Sequence, residues 1–158
     1  MPTVEKSTIG IILAKILGNR LIDTDIVKQE KENRLLRDII ASEGVDGFIE
    51  TENRIISTLK AEKAVIATGG SVVYGRKAMK HLSEIGTVIY LKLDYSKLKY
   101  RLGNIRNRGV VIRKGQRLSD LYNERCPLYE SYADIIVDEN GRNIEKTVEQ
   151  ILENIHSV

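Results

Sequence analysis

The sequence lacks several features that mark specialised classes of protein. Among its 158 residues it has no tryptophan, one phenylalanine, two prolines and a single cysteine, Cys126. One cysteine excludes an internal disulfide and fits a reducing compartment. No apolar run approaches the roughly 18 residues that span a bilayer, and the N-terminus resembles neither a signal peptide nor a transit peptide. We therefore expect a cytoplasmic protein without a membrane segment.

Neither sign of charge dominates the chain. Its 25 Lys and Arg residues are interspersed with 22 Asp and Glu residues, for a formal net charge of +3. Nucleic-acid-binding domains usually concentrate positive charge on one face, so we expect no nucleic-acid partner. With 42% hydrophobic residues, 30% charged residues and no visible repeat or linker, residues 1–158 are predicted to form one globular domain. We expect it to be a monomer.

Short apolar runs alternate with helical patterns along the chain. Strands are predicted near residues 20–24, 64–68, 87–93 and 135–137. Helical patterns separate them, beginning with residues 8–17 and including a break at Gly44. Such alternation predicts a three-layer α/β fold, in which helices cover both faces of a parallel sheet. Ligands bind such sheets at the carboxyl ends of the strands.

The first helical pattern begins with Lys6-Ser7-Thr8, the closing residues of the phosphate-binding motif G-x-x-x-x-G-K-[ST]. In that motif the lysine reaches the β- and γ-phosphates, and the hydroxyl ligates Mg²⁺. The loop glycines are missing, because Glu5 stands in place of the last one and Thr3 in place of another that small kinases often carry. Ser7 or Thr8 could instead simply cap the helix.

Candidate ligand-binding residues follow two predicted strands. Asp23 and Asp25 are one strand period apart, an arrangement suited to a hydrated Mg²⁺ and a substrate hydroxyl. The alternative is that Asp25 caps the next helix. Gly69-Gly70 permits close approach of the backbone to a ligand, although a tight turn also favours glycine.

A loop of about residues 104–117 is rich in arginine and glycine. Mobile loops of this kind can close over phosphates, and the alternative is a solvated basic loop. Its arginines and those that bracket it are Arg106, Arg108, Arg113 and Arg117.

Five motifs in register resemble the shikimate kinase family and cover nearly the whole chain. They are Lys6-Ser7-Thr8-Ile9-Gly10, Leu21-Ile22-Asp23-Thr24-Asp25, Ala67-Thr68-Gly69-Gly70, Arg108-Gly109 and Glu124-Arg125-Cys126-Pro127-Leu128-Tyr129. The resemblance implies a P-loop kinase with a five-stranded parallel sheet. Such an enzyme transfers the γ-phosphate of ATP to a hydroxyl of shikimate or a similar small metabolite, with Mg²⁺.

The resemblance also implies roles for the matched residues. Asp25 would bind and orient the accepting hydroxyl, and Lys6 and Arg108 would share the catalytic work with it. The implied metal residues are Ser7 and Asp23, the ATP-binding residues Lys6, Ser7, Thr8, Arg108 and Arg142, and the substrate-binding residues Asp25, Gly69, Gly70 and Arg125.

The chain departs from the family pattern in several places. Ile49 follows Phe48 where the family has an arginine that pairs with the substrate carboxylate, so we expect shikimate to be a poor substrate at best. The glycine triplet has become Gly69-Gly70-Ser71, and the lid's Arg-Pro has become Arg108-Gly109. The family also begins with an apolar strand, central to its sheet, which is expected to be missing here.

Three hypotheses remain open from the sequence. The first is an ATP-dependent kinase for a small hydroxylated metabolite. The second is a degenerate kinase that keeps the fold as a nucleotide-binding, metabolite-binding or regulatory module, as Thr3, Glu5 and Ile49 suggest. The third is a structural or interaction domain, because a fold alone does not determine function.

Overall fold

The computed structural model describes residues 4–103 and 110–157. Within these ranges, helices and strands alternate as the sequence predicts. The helices are α1 (Val4–Leu17), α2 (Thr24–Glu32), α3 (Leu36–Ile56), α4 (Arg76–Ile85), α5 (Tyr95–Leu102), α6 (Leu118–Tyr132) and α7 (Ile144–His156). The strands are β1 (Arg20–Asp23), β2 (Ala64–Ala67), β3 (Ile89–Lys92) and β4 (Ile135–Asp138), and a 3₁₀ turn spans Gly70–Tyr74.

The four strands form two parallel pairs. In one pair β1 lies beside β2, with Arg20 opposite Ala64 and Asp23 opposite Ala67. In the other, β3 lies beside β4, with Ile89 opposite Ile135. The predicted positions of all four strands and the parallel direction within each pair are confirmed.

A cavity of about 500 Å³ lies between the two strand pairs. Residues of β2 and of β3 line it, together with residues of α1 and α7. Over the described ranges, β2 and β3 form no ladder with each other, so the sheet is divided at this cavity.

Helices pack on both sides of the strands. Tyr90 of β3 belongs to a cluster with Ile56 of α3, Met79 of α4 and Tyr129 of α6. Its neighbours Ile89 and Leu91 instead pack against a cluster that joins α1, β4 and α7. Because successive side chains of a strand point to opposite faces, these two clusters cover both faces of the sheet. This is the predicted three-layer arrangement.

The break predicted at Gly44 is present inside α3. Gly44 has φ 72° and ψ −178°, which interrupts the helical backbone between its two halves. A positive φ of this kind is readily adopted by glycine and is costly for other residues. The helix is kinked at Gly44, and Phe48 and the charged residues after it lie on the second half of α3.

Two predicted boundaries near the site are wrong. The first helix begins at Val4, four residues before Thr8, so Lys6 and Ser7 lie in its first turns. The second helix begins at Thr24, so Asp25 lies on α2 and does not continue the strand that ends at Asp23. The cause is a helix cap at Asp23, whose Oδ1 accepts a hydrogen bond of 2.9 Å from the backbone N–H of Asp25.

No helix in the described ranges has the length and apolar character that crossing a membrane requires.

Candidate functional site

Several charged side chains are buried beyond the carboxyl ends of β1 and β2. Lys28 of α2 and Glu52 of α3 each expose 1% of their side chains, and Arg125 of α6 is 2% exposed. Charged residues are rarely buried this deeply unless they are paired. The residues that pair with these three side chains therefore outline the candidate site.

Lys6 connects the first helix to the end of β2. Its Nζ donates a hydrogen bond of 2.9 Å to the carbonyl oxygen of Thr68. Burial lowers the pKa of Lys6 to about 8, although the nearby carboxylate of Asp25 favours the charged form. Near neutral pH this amine is still mostly a cation, positioned at the start of a helix where anions bind readily.

Lys28 bridges two carboxylates. Its Nζ lies 2.8 Å from Oδ1 of Asp25 and makes a second ion pair with Oε2 of Glu52. The other oxygen of Glu52 accepts a hydrogen bond of 2.6 Å from Oγ of Ser71. Burial opposes the charge of Lys28, but the two carboxylates outweigh this effect and raise its pKa. Asp25 differs from Lys28 and Glu52 because 46% of its side chain is exposed.

The glycine pair approaches these charges closely. A Cβ atom at Gly69 would lie 3.4 Å from Oδ1 of Asp25 and 3.5 Å from Oε2 of Glu52. Gly70 is buried at the start of the 3₁₀ turn, and its carbonyl oxygen accepts a hydrogen bond of 2.6 Å from the hydroxyl of Tyr129. The backbone of Gly69 therefore lies close to these charged side chains, while Gly70 is held by α6.

Arg125 is anchored beside the same cluster. One of its guanidinium nitrogens donates a hydrogen bond of 2.8 Å to the carbonyl oxygen of Val111. Nε donates one of 3.3 Å to the hydroxyl of Tyr74, whose ring centroid lies 5.3 Å from the guanidinium carbon. The charge of Arg125 is close enough to Lys6 to disfavour the protonated form of that lysine. The structure thus brings together Lys6, Asp25 and Arg125 from three separate motifs.

The predicted metal residues differ in exposure. Ser7 is exposed on α1, whereas Asp23 is half-buried and uses Oδ1 to cap α2. Oδ2 of Asp23 has no hydrogen-bond partner among the described residues. The described ranges contain no group of three or more His, Cys, Asp or Glu side chains that could hold a metal ion alone. A Mg²⁺ site here would therefore depend on nucleotide phosphates and water for its other ligands, as is usual for this ion.

The first turn of α1 also contacts the end of the second strand pair. Glu5 forms an ion pair with Arg101 of α5, so its carboxylate is neutralised on that side. Glu139 is buried next to Glu5. Burial is the main cause that raises the pKa of Glu139 to about 7, and repulsion from the carboxylate of Glu5 is the second. Arg142 lies in the following turn, where its backbone N–H donates to the carbonyl oxygen of Glu139 at 3.2 Å.

Part of the predicted lid lies outside the described residues. Arg106, Arg108 and Gly109 fall there, as does Thr3. Of the remaining lid arginines, Arg113 pairs with Asp46 and Glu124. Arg117 pairs with Asp120 at the start of α6.

Sequence reasoning missed Lys28, Glu52 and Ser71. One signal was available for Glu52, which lies four residues after Phe48 and therefore on the same face of α3. A carboxylate on an apolar helix face indicates a buried polar contact. Lys28 offered a weaker signal. It lies three residues after Asp25 on α2, and such pairs also form on exposed helix surfaces.

Comparisons with known proteins agree with this architecture. The family model described as "Shikimate kinase" matches residues 2–156. The shikimate kinase of Bacillus cytotoxicus is 34% identical over 153 residues, which cover 96% of this chain and 92% of that protein. The shikimate kinase of Histophilus somni is 35% identical over 157 residues, which cover 97% and 90% of the two chains.

Solved structures show the same similarity in three dimensions. Shikimate kinase from Acinetobacter baumannii, in complex with shikimate, superposes with a TM-score of 0.82 at 29% identity, covering 96% of this chain and 87% of that one. Shikimate kinase from Aquifex aeolicus superposes with a TM-score of 0.77 at 25% identity, covering 96% and 89%. The P-loop kinase fold is therefore confirmed, and the chain belongs to the shikimate kinase family.

Proposed function

We propose that this chain is a monomeric, single-domain kinase that transfers the γ-phosphate of ATP to a hydroxyl of shikimate. One observation supports this beyond family membership. Lys6, Asp25 and Arg125 belong to three separate motifs, and the fold gathers them where parallel sheets bind ligands. A cation for phosphate, a carboxylate for the hydroxyl and a cation for an acidic substrate are the groups that this reaction needs.

Lys6 is proposed to bind the transferred phosphate. Phosphoryl transfer depends mainly on positioning and on neutralisation of charge, since the transition state spreads negative charge over the phosphoryl oxygens. The amine is tied to the carbonyl oxygen of Thr68 and so stands at the end of β2. Thr8 and Arg108 are proposed to assist at the phosphates, and Arg142 at the adenine, on the basis of the family resemblance.

Ser7 and Asp23 fit a Mg²⁺ ion that arrives with ATP. The exposed hydroxyl of Ser7 would ligate the ion, and the Asp23 oxygen that does not cap α2 would hold it through water. Bound Mg²⁺ would neutralise charge on the phosphates.

Asp25 is proposed to orient the acceptor and receive its proton. Its carboxylate is half-exposed, in contact with Lys28 and close to the backbone of Gly69, so a small molecule can reach it. A carboxylate within hydrogen-bond reach of a hydroxyl can serve as the general base. Arg125, with Gly69 and Gly70, is proposed to hold the rest of the acceptor, pairing its guanidinium with the acid group.

A coupled assay of ADP release tests the proposal. Wild-type protein with ATP, Mg²⁺ and shikimate should form ADP and shikimate phosphate in equal amounts. Asp25→Asn should abolish this turnover and leave ATP affinity nearly unchanged in calorimetry, because an amide has a similar shape without the basicity. ATP binding without turnover by the wild type would favour the degenerate kinase, and absence of both would favour a structural domain.

A further inference from the structure

The carboxylate of Asp25 depends on a buried lysine for its position. Within the described ranges, Lys28 is the only side chain that forms an ion pair with it, at 2.8 Å. Asp25 lies in the first turn of α2 and is half-exposed, so without a partner its side chain could adopt other rotamers.

Lys28 itself has little freedom to move. It pairs with Glu52 inside the fold, and its Nζ lies 4.8 Å from the centroid of the Phe48 ring, within range of a cation–π contact. Glu52 is in turn fixed by the hydroxyl of Ser71. The ammonium group is therefore held from α3 and presented to Asp25.

We propose that Lys28 is a positioning residue for phosphoryl transfer. It binds Oδ1 of Asp25 and leaves Oδ2 for the hydroxyl of the acceptor. This inference rests on the proposed role of Asp25 as the general base. Because misplacement of a reacting group by about 1 Å can cost about a hundredfold in rate, loss of Lys28 should slow catalysis without weakening ATP binding.

A single Lys28→Met variant would leave Glu52 buried without a counter-charge, which can unfold a protein. The informative variant therefore combines Lys28→Met with Glu52→Gln, whose side-chain oxygen can still accept the hydrogen bond from Ser71. The reference protein is Glu52→Gln alone, in which Lys28 and its contact with Asp25 are kept. Lys31→Met, on the exposed side of the same helix, is the matched control for removal of a lysine.

At saturating ATP and shikimate, kcat of Lys28→Met/Glu52→Gln should fall about ten- to a hundredfold below that of Glu52→Gln. The Kd for ATP, measured by calorimetry, should stay within about twofold, so that the loss is in kcat alone. Lys31→Met should behave as wild type. Equal kcat in the double variant and its reference would overturn the proposal, and so would a parallel loss of ATP affinity, which indicates general disruption of the site.

A second measurement does not depend on turnover. In the Glu52→Gln background, the unfolding free energies of Lys28→Met, Asp25→Ala and their combination form a double-mutant cycle. Non-additive effects support the contact, whereas additive effects would overturn the inference even in a protein that is otherwise active. A wild type that binds ATP and shows a coupled Lys28–Asp25 pair, but has no turnover, would instead refute the proposed function.

Discussion

Protonation of Glu139 should make the stability of this protein depend on pH in an unusual direction. Its side chain is buried at the end of β4, where burial and the neighbouring carboxylate of Glu5 raise its pKa to about 7 from an ordinary value of 4.5. Between these two values the native protein keeps a proton that the unfolded chain releases. Stability therefore falls as the pH rises through this window, whereas ion-paired carboxylates with lowered pKa values stabilise proteins as the pH rises.

The size of this effect follows from the pKa difference. Each pKa unit corresponds to about 1.4 kcal/mol, so the separation between 4.5 and about 7 corresponds to about 3 kcal/mol. The pKa of about 7 already includes the opposing charge of Arg101, and solvent screening reduces the value further. We expect the contribution of Glu139 to the unfolding free energy to decrease by about 1–2 kcal/mol between pH 5 and pH 8.

Urea denaturation at pH 5 and pH 8 would measure this change in the unfolding free energy. Glu139→Gln keeps the shape of the side chain and removes the titration. Its unfolding free energy relative to wild type should therefore be about 1–2 kcal/mol more favourable at pH 8 than at pH 5. Glu149→Gln, on the exposed face of α7, is the matched control and should show no such gain. If the difference between wild type and Glu139→Gln is the same at both pH values, the argument from burial is wrong.

Three further predictions concern the site. Gly69→Ala should fold normally, because its φ of −68° suits alanine and its methyl group would make ordinary van der Waals contact with Asp25, but the methyl group would take up space beside Asp25 that the acceptor needs and raise the KM for the acceptor about tenfold. ATP affinity should fall between pH 7 and pH 9 as Lys6, with its pKa of about 8, loses its charge, and calorimetry should show proton uptake on binding in that range. Glu5→Gly should tighten ATP binding in the same assay, although the ion pair with Arg101 already reduces the repulsion expected from Glu5.

The sheet and its covering helices could be predicted because their signals are local. The apolar run around Ile89 is too short for a helix, and its alternating side chains meet apolar helix faces on both sides. Gly44 interrupts a helical pattern at the position where a positive φ is needed. These features depend on residues within a few positions of one another.

The interior of the site could be predicted only in part. Lys6, Asp25 and Arg125 were found because they belong to motifs with fixed spacing. The burial of Lys28 depends on Glu52, 24 residues further along the chain, and on Ser71 from yet another segment. No local pattern distinguishes such a lysine from one on a solvated helix. The start of α2 was mispredicted for a similar reason, since Asp23 suits both a strand end and a helix cap.

The charges of the site determine how tightly it can bind the acceptor. Lys28 is neutralised by Asp25 and Glu52, which leaves Lys6 and Arg125, of the buried cations in the described part of the site, for the anions of the reaction. If Lys6 takes the phosphate, Arg125 is the cation that remains among these described residues for the carboxylate of shikimate, because Ile49 supplies no charge. The protein should then orient shikimate correctly and yet bind it weakly.

Ile49→Arg tests this reasoning. Ile49 lies three residues before Glu52 on α3, a spacing that allows an arginine there to use the same carboxylate as a partner. A second charge-assisted contact with the substrate carboxylate contributes about 1.5–3 kcal/mol, so the KM for shikimate should fall about ten- to a hundredfold while kcat changes little. Ile49→Gln, which is polar and uncharged, is the matched control and should lack this gain. An unchanged KM in Ile49→Arg, with the fold intact by thermal unfolding, would show that residue 49 does not face the substrate and that Arg125 is sufficient.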